Sequence, residues 1–243
     1  MEYTFIDKSL FFPKKGILVI GDFHIGYESA LRQSGILVPA RQVQDMVEDL
    51  KNIFKKIKER GWNLNKIVFL GDLKHLFYFD FKEKHEFQDI LAFLGNYFSP
   101  ENIILIKGNH DTMDYTFEGK LKKMHVEGDI AFLHGHEDDP KLYDKRIKTI
   151  VFGHIHPSVF FSSGAKKEAY KCFLTGKYKE KEFIVLPSFL GFIEGTPVNY
   201  YDEDYIESFS ILPKKAILKF RVHAIGKDKV YSFGEIRKLK DNI

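Results

Sequence analysis

Apolar residues run along the first half of the chain in two alternating rhythms. GILVIGD (16–22), KIVFLGD (66–72) and NIILIKGNHD (102–111) are short, continuous, β-branched blocks with the length of strands buried on both faces. Between the first two blocks the period lengthens. Val43, Met46, Val47, Leu50, Ile53, Phe54 and Ile57 recur at three- and four-residue steps, which predicts a helix from Pro39 to Arg60 with Gly61 as its stop. Phe87, Ile90, Leu91 and Leu94 predict a second helix over 83–98. Downstream the pattern is mainly that of strands, at 129–137, 148–157, 168–178, 181–189 and 216–226. No linker, repeat or low-complexity stretch interrupts the series. The expectation is one domain over 1–243, of α/β class, with two stacked sheets flanked by helices.

Composition narrows the function classes. The net charge of +3, from 37 basic and 34 acidic residues, argues against a general polyanion binder and leaves room for local basic patches. No apolar run approaches the roughly 20 residues that cross a bilayer, so no membrane association is expected. The opening MEYTFIDKSLFF has no secretory-signal pattern, and the single Cys172 permits neither an internal disulfide nor a thiolate metal cluster. A cytoplasmic location is the expectation.

The chemistry sits where the apolar blocks stop. Five strands end in GDFH (21–24), GDLKH (71–75), GNHD (108–111), HGHE (134–137) and GHIH (153–156). Seven of the ten histidines lie in these fragments: His24, His75, His110, His134, His136, His154 and His156. In open α/β sheets ligands gather beyond the carboxyl ends of strands, so adjacent strands would bring all five fragments to one rim. Asp22, His24, Asp72, Asn109, His134, His154 and His156 offer more donors than one tetrahedral ion accepts. The Asp72 carboxylate can bridge two ions about 3.5–4 Å apart, the spacing of two-metal catalysis. Nitrogen and oxygen donors without thiolate favour Mn, Fe or Zn over Mg or Ca.

The order D-x-H, G-D, G-N-H-D, H-G-H, G-H-x-H, running from Asp22 to His156, resembles the calcineurin-like metallophosphoesterase superfamily. The resemblance implies a four-layer αββα sandwich of two mixed sheets flanked by helices, with two divalent metal ions, Mn2+ foremost and Fe, Zn or Ni as alternatives. It implies that Asp22, His24, Asp72 and His156 bind one ion and Asp72, Asn109, His134 and His154 the other. His110 would contact the phosphate and protonate the leaving oxygen, with Asp111 orienting it; a neighbouring carboxylate favours a protonated imidazole. His75, three residues after Asp72, is similar to a second active-site histidine of SbcD-type DNA-repair nucleases. GDFHIGYESALRQSGILVP and the later LPSF resemble archaeal SbcD-related and bacterial PdeM-type proteins, the latter associated with ligase and helicase neighbours in repair.

The resulting expectation is a metal-dependent phosphodiesterase, a nuclease cleaving DNA or RNA by metal-activated hydroxide. Nucleic acid would be the substrate, with a helicase or ligase as partner. Two alternatives stay open: a phosphodiesterase for small or cyclic nucleotides, and a metal-poor scaffold that docks repair proteins. Around the motifs, Lys74, Lys107, Arg32 and Arg41 are candidates for phosphate contacts, and Tyr27, Phe77, Tyr78 and Phe79 for base stacking, against ordinary surface pairing and core packing. His136 reads as a neighbour of the site. YDEDYIE (201–207) reads as an acidic surface loop, and the region after Tyr200 as one place for a dimer interface.

Overall fold

A computed structural model describes residues 2–78, 80–111, 121–163, 166–200 and 210–239. The continuous blocks become strands β3 (Ile17–Ile20), β4 (Lys66–Phe69) and β5 (Ile103–Leu105), paired parallel in that order. The opening residues add an antiparallel hairpin, β1 (Thr4–Ile6) and β2 (Ser9–Phe12), that extends the same sheet through β3. The sheet order is β1-β2-β3-β4-β5.

The second sheet is built from β6 (Met124–Glu127), β7 (Ile130–Leu133), β8 (Thr149–Phe152), β9 (Pro157–Ser163), β10 (Lys166–Tyr178), β11 (Lys181–Val185) and β12 (Thr196–Pro197), with β13 (Arg221–Ile225) and β14 (Val230–Glu235). Its order is β12-β9-β10-β11-β8-β7-β6, with β13 joining β10 and β14 joining β13. Strands β7, β8 and β11 run parallel as neighbours. Both sheets are thus mixed.

The period of two explains the uninterrupted apolar runs, because both faces of each central strand are covered. Ile17, Val19 and Val68 meet Ile130, Phe132, Val151 and Ile184 in the core between the sheets. Their neighbours Leu18, Ile20, Ile67 and Phe69 point outward against Met46, Leu50, Ile53 and Ile57 of α2 (Gln42–Glu59) and Phe87, Ile90 and Leu94 of α3 (Phe81–Leu94). On the far face of the second sheet, Ile150, Phe152, Phe183 and Val185 pack on Leu142, Leu212, Ile217 and Phe220. The expected αββα layering is present, although among the described residues that last layer is thin, built from turns and the single-turn α4 (Lys214–Ile217).

Several boundaries depart from the periodicity. Asp80 accepts a bond from the Glu83 amide at 2.9 Å and so starts α3 two residues early. The stretch after GDFHIG holds a short helix, α1 (Tyr27–Gln33), which its mixed polarity conceals. The strand expected over 216–226 begins as α4, following Pro213, before β13 starts. The strand expected over 148–157 breaks at GHIH into β8 and β9. The YDEDYIE segment and Phe79 lie outside the described residues.

Candidate metal centre

Because β3, β4 and β5 run parallel to one another in the first sheet, and β7 and β8 in the second, their carboxyl ends present the five polar fragments at one rim. The turns interlock through the backbone. The amides of Phe23 and His24 donate to the Asp72 carbonyl at 3.1 and 2.7 Å, and the Phe189 amide reaches across from the second sheet to the Asp22 carbonyl at 2.8 Å. Ser188 Oγ donates to the same carbonyl at 3.1 Å. Gly21 allows that closeness, since a Cβ there would lie 2.2 Å from the Pro187 oxygen.

Backbone strain is concentrated here. Asp7, His24, Asp72, His154, His156, Lys179 and Glu180 are the non-glycine residues with left-handed φ among those described, and four of them belong to the expected ligand set. His24, Asp72, His154 and His156 take φ of 49°, 44°, 66° and 47°. Such conformations cost free energy and persist where the surroundings over-determine them, typically at functional sites.

The side chains converge in two groups that share one carboxylate. Asp22, His24, Asp72 and His156 place a ligand atom each within 4.8 Å of one another, and so do Asp72, His134 and His154. Asn109 Oδ1 stands 2.9 Å from His134 Nε2, which puts it with the second group. His24 Nε2 and His156 Nε2 are 3.2 Å apart, and His154 Nδ1 and His134 Nε2 are 3.0 Å apart. His134 Nδ1 lies 3.0 Å from the Leu70 carbonyl, to which it can donate, leaving Nε2 as the lone-pair atom directed at the site. A third group, His24, His75 and His110, adjoins the first. His136 stands beside these groups, its ring 5.1 Å from that of His134.

This donor set suits divalent cations. Asp22, His24, Asp72 and His134 are buried, and buried polar atoms require partners. Burial, joined by the neighbouring His156, holds His24 down at about 3, and burial with His134 holds His154 at about 4, so both rings are neutral and free to donate lone pairs. Against the cost of burial, the histidines around Asp72, His134 first, hold its carboxyl down at about 2. Burial opposes charge on His134, but Asp22 and Asp72 outweigh it and push that ring up to about 9. A divalent cation held by these residues would supply the charge that this proton supplies, and would displace it.

Around the histidines the contacts differ from the sequence expectation in one respect. Asp111 is turned away from the His110 ring. Its Oδ1 accepts from the amides of Leu73 and Lys74 at 3.0 and 3.3 Å, and its Oδ2 accepts from Gly108 at 2.9 Å. It therefore ties the GNHD turn to the GD turn, and burial pushes its carboxyl up to about 7. What meets His110 Nδ1 is the His75 carbonyl, at 2.7 Å. His110 Nε2 is left facing the site, 4.0 Å from Asp72 Oδ2. The His75 ring is held down at about 4, by burial first and His110 second.

Lys74 is also elsewhere than expected. It is buried, and its ammonium donates to the carbonyls of Leu76 and Tyr78, the latter at 2.8 Å, beside Glu83 at 3.6 Å. Arg32 and Arg41 pair with Glu28 and Asp45. Lys107 lines a cavity of 420 Å³ with Lys123, His134, His136, Glu137 and Asp138, beside the second ligand group. Two residues to which the sequence pattern gave no role complete the support. Gln42 Nε2 donates to the His24 carbonyl at 2.7 Å, and buried Glu28 accepts from the amides of Arg41 and Gln42 at 2.9 and 3.0 Å.

A model described as calcineurin-like phosphoesterase matches residues 16–158, more than half of the chain. The crystal structure of a Pseudomonas putida nuclease, MPE, aligns with a TM-score of 0.59 at 18% identity, covering 96% of this chain and 100% of that one. Wild-type Vps29 from Entamoeba histolytica, complexed with zinc, aligns at 16% identity over 89% of this chain and 96% of its own, with a TM-score of 0.41. A predicted phosphoesterase from Streptococcus pneumoniae TIGR4 aligns at 13% identity over 96% and 100%, with a TM-score of 0.35. The first of these alignments shows a shared fold. No curated protein sequence matches the chain. Among the described residues no helix is long and apolar enough to cross a membrane.

Proposed function

Since the chain belongs to the calcineurin-like phosphoesterase family, we propose that it is a two-ion phosphodiesterase acting on nucleic-acid strands. The observation that carries this reading is Asp72, whose carboxylate belongs to both ligand groups. One ion would be held by Asp22, His24, Asp72 and His156, the other by Asp72, Asn109, His134 and His154. Mn2+ suits these nitrogen and oxygen donors, with Fe, Zn or Ni as alternatives. When bound, the ions supply an activated water nucleophile and positive charge for the phosphate oxygens.

The chain's own residues then do the rest. The His75 carbonyl fixes His110 Nδ1, so His110 Nε2 is the atom that carries a proton to the departing alkoxide. Asp111 acts on the turn rather than on the ring, holding Gly108 and thereby the position of Asn109 and His110. The His75 ring, stacked at 5.5 Å on His110, lines the leaving side. A nucleic-acid substrate is supported by the fold shared with the Pseudomonas putida nuclease and by the motif resemblance to SbcD-related and PdeM-type proteins. The same resemblance supports a place in DNA repair beside a helicase or ligase.

The test is a substrate panel with Mn2+, with and without chelator: single-stranded DNA, duplex DNA, RNA, cyclic nucleotides and a chromogenic diester. Cleavage of a polynucleotide that chelator abolishes is expected. Cleavage confined to the small esters would remove the nuclease assignment. Inactivity of the fully loaded protein on every member would favour a docking scaffold.

A further inference from the structure

From the bonds that join the 186–197 connection to the first ligand group, we propose that Lys171 is a positioning residue for the first ion, the pin of the turn that sets Asp22 against His156. This rests on the two-ion reading above and names what fixes one half of the centre.

The connection that follows β11 reads LPSFLGFIEGTP, and it grips the first group near both of its ends. At the start, the Phe189 amide and Ser188 Oγ both donate to the Asp22 carbonyl, at 2.8 and 3.1 Å. Ser188 Oγ in turn accepts from the Leu190 amide at 3.2 Å. At the end, the Thr196 amide donates to the His156 carbonyl at 2.8 Å. Gly195, with a φ of 98°, permits that approach, since a Cβ there would lie 2.1 Å from the same oxygen. One stretch of chain thus holds the backbone of two ligands whose side chains, Asp22 Oδ2 and His156 Nε2, stand 3.4 Å apart.

Lys171 fastens this stretch in its middle. Its ammonium donates to the carbonyls of Ser188 and Leu190 at 2.7 and 2.5 Å, one on either side of Phe189. Both residues are buried, so these carbonyls have no water to turn to. The stem of Lys171 rises from β10 opposite Ser158, two positions beyond His156 on β9. The side chain therefore reaches from beside the strand that leaves His156 to the turn that holds Asp22. The Phe189 ring completes the seat, stacked on Phe23 at 5.3 Å and lying under the Lys8 ammonium at 4.7 Å.

The consequence of losing the pin follows from these bonds. A side chain of similar length without donors leaves two buried carbonyls unpaired, and the turn must rotate to find others. Rotation about 188–190 carries the Phe189 amide and the Ser188 hydroxyl with it, and through them Asp22. Asp22 supplies the carboxylate that the first ion does not share, whereas Asp72 serves both groups. Lys181 offers a matched control. It is buried, and its ammonium likewise donates to two carbonyls, of Asp144 and Ile147 at 2.8 and 2.6 Å, but it sits at the amino end of β11, away from the ligand rim.

Crystals of the parental protein and of Lys171→Met, Ser188→Ala and Lys181→Met, equilibrated over a series of Mn2+ concentrations, test this. Anomalous occupancy is read separately at the peak touching Asp22 and His156 and at the peak touching His134 and His154. Lys171→Met should need roughly ten- to a hundredfold more Mn2+ to fill the first peak, the range that outer supports of a metal ligand command, while the second fills near its parental concentration. Ser188→Ala keeps the pin and removes one donor to Asp22; it should shift the first peak in the same direction, and it carries the test if Lys171→Met does not fold. Lys181→Met should melt at a lower temperature yet fill both peaks as the parental protein does. A first peak that fills at the parental concentration in Lys171→Met, or in Ser188→Ala where that is the variant that folds, would overturn the pin. So would an equal shift of both peaks, or the same shift in Lys181→Met. Each of these results leaves the two-ion reading standing. A parental protein with no peak beside Asp22 and His156 would overturn both.

Discussion

Replacing Gly108 with alanine probes how narrowly the shared carboxylate is held. A Cβ on Gly108 would lie 2.1 Å from Asp72 Oδ1, 2.2 Å from the Asp72 amide nitrogen and 2.9 Å from its Cα. Real Cβ contacts hardly occur below 3.0 Å, so Asp72 or the GNHD turn must retreat by close to an ångström. The obstacle is chiefly backbone, itself tied down by the His24 and Phe23 amides, so no side-chain rotation relieves it. A misplacement of about 1 Å in a catalytic constellation costs on the order of a hundredfold in rate. Overpacking of this kind costs about 1–3 kcal/mol in stability. The expected G108A protein is folded, holds fewer than two ions, and has a kcat/KM on its preferred diester lowered by about a hundredfold. Gly95→Ala is the control, because its Cβ would meet nothing nearer than the Ala92 carbonyl at 3.4 Å. Metal content by mass spectrometry, thermal melting and steady-state rates on the same preparations decide the matter. A G108A protein with two tightly held ions and the parental rate would refute the reasoning.

Other perturbations separate the roles of neighbouring groups. His110→Gln should keep the metal content and lower kcat by about 10²–10⁴-fold, the range of general acid catalysis; an unchanged rate would remove the proton-donor role. Asp111→Ala leaves three buried amides without an acceptor and should lower urea stability by about 2–4 kcal/mol, read from the unfolding midpoint. Lys171, whose ammonium donates to the Ser188 and Leu190 carbonyls, is pulled down to about 7, by burial first and by Lys8 next, against the opposing charges of Asp22 and Asp49. The unfolded chain keeps that proton to a higher pH, so stability should rise from about pH 7 towards the ordinary lysine value near 10.5, with no contribution from Lys171 to the slope below pH 7; Lys171→Met should flatten that rise in urea titrations across this range. Cys172 is fully buried, and burial pushes its thiol up, so it should react with a thiol reagent only on unfolding.

Much of the fold was legible because the central strands are covered on both faces and therefore write themselves as unbroken apolar runs. Short elements were harder to see. The hairpin of β1 and β2 is short, and α1 carries only a weak apolar stripe between Tyr27 and Gln33. The clustering of the candidate ligands was legible because each follows directly on a buried strand. The supports of those residues were not, since a carbonyl acceptor such as that of Leu70 or His75 leaves no mark in the residue type. Asp111 shows the limit most clearly. Its adjacency to His110 suggested a ring partner, yet successive side chains diverge, and its carboxylate instead reaches amides 38 and 37 positions away. Lys74 likewise stands beside a motif residue and is buried as a clamp for carbonyls rather than exposed towards phosphate.

The central claim is a pair of cations joined through Asp72. Anomalous scattering from crystals grown with Mn2+ tests it most directly. Two peaks about 3.5–4 Å apart, with the Asp72 carboxylate between them, are the predicted result. A single peak, or two peaks of which only one touches Asp72, would contradict it.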